Sequence, residues 1–324
     1  VRFRRSIFAL SAAAVAALTL AGCASSTNAS SSSASPSASA ATNLCDAKVP
    51  SGSASDSVKV SGKVGDAATV SFKKGVTASN IQSTVVTKGS GQQLKSGDLV
   101  EFALTEYNAK TGAKNGAIGQ TDGSLLPQQI SADSVLGKVL GCATVGTRVV
   151  AVMPGTSASS SGSATTQASV DVIDVKSVVP TAAWGKAQPA EAGMPTVKLA
   201  ANGEPTITVP KTAAPKTTKV AVLKKGDGAT VHSGDTVLVQ YTGVLWKDGK
   251  VFDSSWKNGS PASFATDKVV KGFGKALTGA TVGSQVLVVI PPADGYGSTA
   301  QGSIPANSTL VFTIDILGVQ HARG

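Results

Sequence analysis

Between Val251 and Ser255 the chain reads VFDSS, so Asp253 follows directly on Phe252. Tyr241, Phe264, Phe273, Tyr296 and Phe312 lie on either side, in a chain whose aromatic content is only 4%. No nucleophile is paired with a base, as covalent catalysis requires. No metal-ligand spacing appears, and no glycine-rich loop follows a strand to cradle phosphate. With two histidines and three cysteines in 324 residues, the chain is poorly supplied for proton relay. An apolar aromatic box with one acid and one phenol suits a reaction that only twists a bond. Rotation about an X–Pro peptide bond is such a reaction. Its barrier of ~18–20 kcal/mol is the resonance of the planar amide. Water favours the polar planar form, so a dry pocket shaped to the twisted form lowers the barrier without covalent chemistry.

The elements that would hold these residues are mostly strands. DTVLVQYTGVL alternates, with Val237, Val239 and Tyr241 on one face. KDGK is a hairpin turn, and KVFDSS is the returning strand. VVKGFGKALTGA is the helix candidate, with Phe273, Ala276 and Leu277 on one side and Gly279 placed to end it. SQVLVVIPP and TLVFTIDIL supply two further strands. The pattern predicts an α+β fold, an antiparallel half-barrel sheet wrapped on one short helix.

The chain also repeats itself. TKGSGQQLKSGDLVEF (residues 87–102) matches KKGDGATVHSGDTVLV (224–239), and GCATVGTRVVAVMP (141–154) matches TGATVGSQVLVVIP (278–291). Asp98 and Asp235, like Gly146 and Gly283, lie 137 positions apart (235 − 98 and 283 − 146). VDVIDV (170–175) matches VFTIDI (311–316), and upstream residues 58–72 pair loosely with 197–210. Two tandem copies of one fold are expected. In the first, Leu104 replaces Tyr241, KNGAI replaces VFDSS, Leu136 replaces Phe273 and Asp171 replaces Phe312, so the fold is expected to survive without the site.

VQYTGVLWKDGKVFDSS, GFGKALTGATVGSQ, IPPADGYG and IPANSTLVFTIDIL together resemble the FKBP-type peptidyl-prolyl isomerases, in family order over residues 217–320. The resemblance implies an isomerase with no cofactor, acting on proline-containing polypeptides and inhibited by macrolide immunosuppressants. It implies catalytic roles for Tyr241, Phe252, Asp253, Tyr296 and Phe312. Phe252 would pack on the proline ring, Asp253 would lie near the twisted carbonyl, and the Tyr296 hydroxyl would donate to a substrate carbonyl. Phe264, Val269, Val270, Phe273 and Ile304 would bind substrate, with Val270 doing so through its backbone. Ala262 stands where the family often carries an aromatic residue, which opens one wall. A non-catalytic holdase gripping clients in the same pocket is the alternative. His232, His321 and Trp256 read as surface or rim residues.

The N-terminus speaks to location. Arg2, Arg4 and Arg5 precede an apolar run ending in LAGC, which resembles a lipobox with Cys23 as the lipidated residue. Removing residues 1–22 takes three arginines from the net charge of +10 and leaves +7. The lysines are scattered, without the basic run interleaved with aromatics that a nucleic-acid groove wants. Residues 23–45 form a Ser/Ala-rich tether. A degenerate copy over 46–180, a linker and N-terminal extension over 181–216 and the isomerase copy over 217–320 complete the expected organisation. The expected protein is extracytoplasmic and lipid-anchored to a cell membrane, in a Gram-positive cell on compositional impression, and assists secreted or envelope proteins. In that oxidising compartment Cys45 and Cys142 are a plausible disulfide.

Overall fold

The computed structural model describes residues 43–155 and 167–322. Cys23, the leader, most of the tether and the stretch 156–166 lie outside the described residues. No helix among the described residues is long and apolar enough to cross a membrane.

The first body opens with two single-turn helices, α1 (Leu44–Ala47) and α2 (Ser53–Asp56), and a hairpin of β1 (Lys59–Ser61) and β2 (Thr69–Ser71). Then follow β3 (Gln82–Thr87), β4 (Leu99–Asn108), β5 (Lys114–Ile118), β6 (Gln128–Gln129), helix α3 (Val135–Leu140), β7 (Arg148–Met153) and β8 (Ser169–Val179). The second body contains β9 (Lys186–Ala187), a hairpin of β10 (Thr196–Leu199) and β11 (Pro205–Thr208), β12 (Lys219–Lys225), β13 (Thr236–Leu245) and β14 (Val251–Ser254). Helix α4 (Ser255–Asn258), β15 (Ala262–Ala265), helix α5 (Lys271–Leu277), β16 (Gln285–Ile290) and β17 (Leu310–Gln320) complete it.

The two main sheets have corresponding strand orders. The first runs β3-β7-β8-β4-β5 with β6 paired to β4; the second runs β12-β16-β17-β13-β14 with β15 paired to β13 and β9 added beyond β12. All pairings are antiparallel. Registers correspond as well: Tyr241 faces Ile314 across β13 and β17, as Leu104 faces Ile173 across β4 and β8.

Each sheet is covered on both faces. Val237, Val239, Tyr241, Val286, Val288, Ile314 and Ile316 pack towards Phe273, Ala276 and Leu277 of α5. Helix α5 comes close because two of its residues lack side chains. A Cβ at Gly272 would lie 2.5 Å from Ile290, and one at Gly274 would lie 2.6 Å from the Thr266 carbonyl. The opposite face, with Val244, Trp246, Leu287, Val289 and Val311, packs against Ile207 and Val197 of the β10–β11 hairpin. In the first body Phe102, Val149, Ile173 and Val175 face α3, while Val150, Val152, Val170 and Val172 lie against Val60 and Val70 of the β1–β2 hairpin. The upstream extensions are therefore the third layer of each body, and this explains why the burial of β13 and β16 does not alternate.

Buried polar bonds fasten these layers. Arg148 donates to Asp174 through Nε at 2.6 Å, and also to the carbonyls of Gly62 and Lys63 at 2.8 Å, which ties the β1–β2 turn to the sheet. The second body uses Gln285 and Asp315 at the corresponding positions, and Asp315 accepts the Ala183 N–H at 2.9 Å. Burial pushes the Asp315 carboxyl up against the lowering effect of those bonds. A disulfide joins Cys45 to Cys142 and links α1 to the end of α3.

The two bodies touch through apolar residues. Leu99 and Val179 of the first cluster with Leu238 and Leu317 of the second. A Cβ at Gly318 would lie 2.5 Å from the Pro127 ring, so this glycine permits the close approach. The His321 N–H donates to the Gly123 carbonyl at 2.7 Å beside this contact.

Candidate functional site

The VFDSS segment is stapled to β13 by its serines. Ser255 Oγ accepts the Tyr241 N–H at 2.8 Å and donates to Gln240 Oε1, and Thr242 and Ser254 share a hydroxyl contact of 3.0 Å. Pairing of Gly243 with Asp253 then sets Phe252 over the sheet edge. A Cβ at Gly243 would stand 2.6 Å from the Phe252 ring and 2.7 Å from the Phe312 ring. The absence of a side chain at 243 thus makes room for both aromatics. Glu106 occupies the corresponding position of the first body.

A cavity of about 490 Å³ opens between this sheet and α5. Tyr241, Phe252, Asp253, Tyr296 and Phe312 line it, as do Phe264, Val269, Val270, Phe273 and Ile304, so every pocket residue singled out from sequence reaches one space. Lys268, Gln301, Gly302 and Ser303 join them at the rim and were not anticipated. The last three lie in the loop after Tyr296, where Gln301 and Ile304 bond to each other through their backbones at 2.8 and 2.9 Å.

Most of the ring contacts are edge-to-face, with Tyr241 and Phe312 tilted at 53°. Phe273 and Phe312 have centroids 5.0 Å apart at 84°, and Phe252 and Phe312 5.3 Å apart at 86°. Phe264 stands 5.6 Å from Phe273 and from Tyr241. Such contacts favour a fixed arrangement by about 0.5–1.5 kcal/mol per pair. Phe273 and Phe312 are buried, Phe252 is half-buried, and Tyr296 and Asp253 are exposed at the mouth. Ala262 packs at the edge of the core, beside Phe264.

The Tyr241 hydroxyl donates to Asp253 Oδ2. Burial first, then the Asp253 carboxylate and Tyr296, push the Tyr241 phenol well above the usual tyrosine range. The phenol therefore stays protonated and orients the acid. The carbonyl of Val270 accepts the N–H groups of Phe273 and Gly274, which places Val270 at the start of α5, beside the cavity.

Two of the three surface assignments need correction, and the third, His232, is exposed as expected. Trp256 is partly buried against the 182–203 region, where Cη2 would be 3.2 Å from a Cβ at Gly203, and it does not line the cavity. His321 is not a free tail residue: its Nδ1 lies 2.8 Å from Asp235 Oδ2. His232 keeps an exposed ring, but that ring meets His321 at a centroid distance of 5.1 Å. Strand pairing causes this, since Thr236 faces Gln320 across β13 and β17.

Residues 228–317 match the family model described as FKBP-type peptidyl-prolyl cis-trans isomerase. A probable FKBP-type isomerase of Haemophilus influenzae is 45% identical over 109 residues, which are 32% of this chain and 45% of that protein. The isomerase FkpA of Escherichia coli is 42% identical over 101 residues, 31% of this chain and 37% of its own. Mouse FKBP14 is 44% identical over 92 residues, 27% and 44% of the two chains. Less than half the length of each of these relatives is covered. The crystal structure of E. coli FkpA aligns with 35% identity over 41% of this chain and 54% of that one, at a TM-score of 0.32. Over residues 228–317 the chain is thus similar to the FKBP-type peptidyl-prolyl cis-trans isomerases.

Proposed function

We propose that the second body accelerates cis–trans isomerisation of X–Pro bonds in unfolded or secreted polypeptides, by non-covalent stabilisation of the twisted amide. The observation that carries this reading is the Tyr241–Asp253 hydrogen bond at the mouth of a cavity walled by Phe252, Phe273 and Phe312. Phe252 and Phe312 receive the proline ring and exclude water from the amide, which removes the solvent's preference for the planar state. The carboxylate of Asp253, held by the protonated Tyr241 phenol, supplies a fixed dipole where the carbonyl rotates. Tyr296 donates its hydroxyl to a substrate carbonyl. Val270 offers its backbone to the peptide. Phe264, Val269 and Ile304 close the walls, while Ala262 leaves one side open, so macrolide immunosuppressants bind as inhibitors with reduced affinity. No cofactor enters the reaction.

The first body is, in this proposal, a degenerate copy of the same fold. Its counterparts of Tyr241, Asp253 and Phe312 are Leu104, Gly116 and Asp171. It serves as a spacer, client-binding or dimerisation module. The whole chain is proposed to be anchored through lipid on Cys23 at the outer face of a cell membrane, to act on envelope proteins and to bind no nucleic acid.

Relaxation of an X–Pro peptide from a cis-enriched solution tests the reading. The wild-type chain should accelerate it, a macrolide should abolish the acceleration, and Asp253→Ala should weaken it. A wild-type chain that suppresses client aggregation with no rate above background would establish the holdase alternative instead.

A further inference from the structure

Both histidines of the chain converge on one buried carboxylate. His232, Asp235 and His321 each present a ligand atom, and all these atoms lie within 4.8 Å of one another. Asp235 Oδ2 is 2.8 Å from His321 Nδ1 and 3.6 Å from His232 Nδ1. The aspartate itself has a structural duty. Its Oδ2 accepts the His232 N–H at 2.7 Å, as Asp98 of the first body accepts the Lys95 N–H at 2.8 Å. The turn therefore requires the acid but not the histidines, because the first body forms it with Lys95 in place of His232. The two imidazoles call for a separate explanation.

We propose that His232, Asp235 and His321 form a three-ligand site for a divalent transition-metal ion such as zinc, with the fourth position open to solvent. Imidazole nitrogen and carboxylate oxygen bind zinc at about 2.0–2.2 Å, which puts tetrahedral ligand atoms about 3.3 Å apart. The pair at 3.6 Å already matches, and the ion takes the place of the hydrogen between His321 Nδ1 and Asp235 Oδ2. The His232 side chain is 67% exposed, so it can swing in to complete the set. Asp235 is pre-set as a ligand. Its buried carboxylate is fixed in place by the His232 N–H at 2.7 Å and the Ala322 N–H at 3.1 Å.

The site lies apart from the isomerase cavity, since none of the three residues lines it. It lies against the first body instead. His321 donates its backbone N–H to Gly123, and a Cβ on Gly123 would be 2.4 Å from the His321 ring. A bound ion fastens the end of β17 to the start of β13 beneath that loop.

Calorimetric titration of the full chain with zinc, and with cobalt as a visible probe, tests the site. Wild type should bind one ion per chain, and cobalt should give the intense absorption of a four-coordinate complex. His232→Ala removes an exposed side chain and should weaken zinc binding about tenfold or more. His232→Ala/His321→Ala should abolish binding and the cobalt band, and zinc should raise the melting temperature of wild type only. Isomerase activity of His232→Ala should equal that of wild type. A wild-type chain without zinc binding, or a double variant that binds as wild type does, overturns the proposal.

Discussion

The acid at the mouth of the cavity acts as one half of a pair. Tyr241 is buried and bonded to Asp253, so either substitution frees the other partner. Asp253→Ala is expected to lower kcat/KM about tenfold, equivalent to ~1.4 kcal/mol. Tyr241→Phe should cost a similar amount in wild type and little more in the Asp253→Ala background, because contacting residues are not additive. The pH profile follows from the direction of the tyrosine shift. A phenol pushed above its ordinary value of about 10 keeps its proton there. Replacing Tyr241 by Phe should therefore leave the shape of the kcat/KM profile near pH 10 unchanged; a fall near pH 10 in wild type that is absent in Tyr241→Phe would contradict the pairing. The aromatic and acidic members of this site were legible in sequence because aromatics are scarce and these fall in order on separate strands. Gly243 was not, since its contribution is the side chain it lacks. The histidine pair escaped notice because it is made by strand register between residues 232–235 and 321.

At the scale of elements, the first body places a partly buried acid where the second has an aromatic residue. Asp171 stands where Phe312 stands in the second body, and its Oδ1 is buried without a hydrogen-bond partner among the described residues. Burial, with a further contribution from Glu106, pushes its carboxyl up to about 7, against a lowering bond from Ser169. The unfolded chain ionises this group near the ordinary value of about 3.9. Below that pH both states are protonated and no penalty arises. Between about 4 and 7 the unfolded chain releases its proton first, so stability is lost as pH rises, and the full penalty persists above 7. Asp171→Asn should melt higher than wild type at pH 8 and close to it at pH 4, as read by thermal unfolding; equal gains at both would contradict the assignment. Arg148 gives the opposite case. Its guanidinium is buried on Asp174 and two hairpin carbonyls. Arg148→Ala leaves that carboxylate without its charged partner and should destabilise the first body by about 3–5 kcal/mol in denaturant titration. The strands and the short helix could be read from the pattern of apolar residues, although β13 and β16 are buried on both faces and do not alternate. The back layer could not, because a short polar-faced hairpin such as β10–β11 shows its burial only once it meets the sheet.

At the scale of the whole molecule, two three-layer bodies share an apolar contact, and a disulfide closes the first. Cys45 and Cys142 are 97 residues apart. Opening a loop of that size should cost about 4–5 kcal/mol through the unfolded chain. Cys45→Ser/Cys142→Ser should therefore lower the melting temperature of the first body and leave isomerase activity intact. The pairing was legible from the number of cysteines and the expected compartment, whereas the covering of Leu238 and Leu317 by Leu99 and Val179 was not. Nothing in either copy's pattern distinguishes a face turned to its own hairpin from one turned to its neighbour.

In the proposed function the aromatic cavity of the second body performs the rotation and the first body does not. The direct measurement is kcat/KM of the full chain for an X–Pro peptide in three forms: wild type, Phe252→Ala/Phe312→Ala and Asp171→Asn. Removal of the two rings proposed to receive the proline should cost about a hundredfold or more, close to 2.7 kcal/mol. Because Phe312 is buried, circular dichroism of the double variant establishes that the fold is retained, and Phe252→Ala alone, at a half-buried position, should lower the rate in the same direction. Asp171→Asn should leave the rate unchanged. Full activity in the double variant, or loss of activity in Asp171→Asn, would contradict the claim.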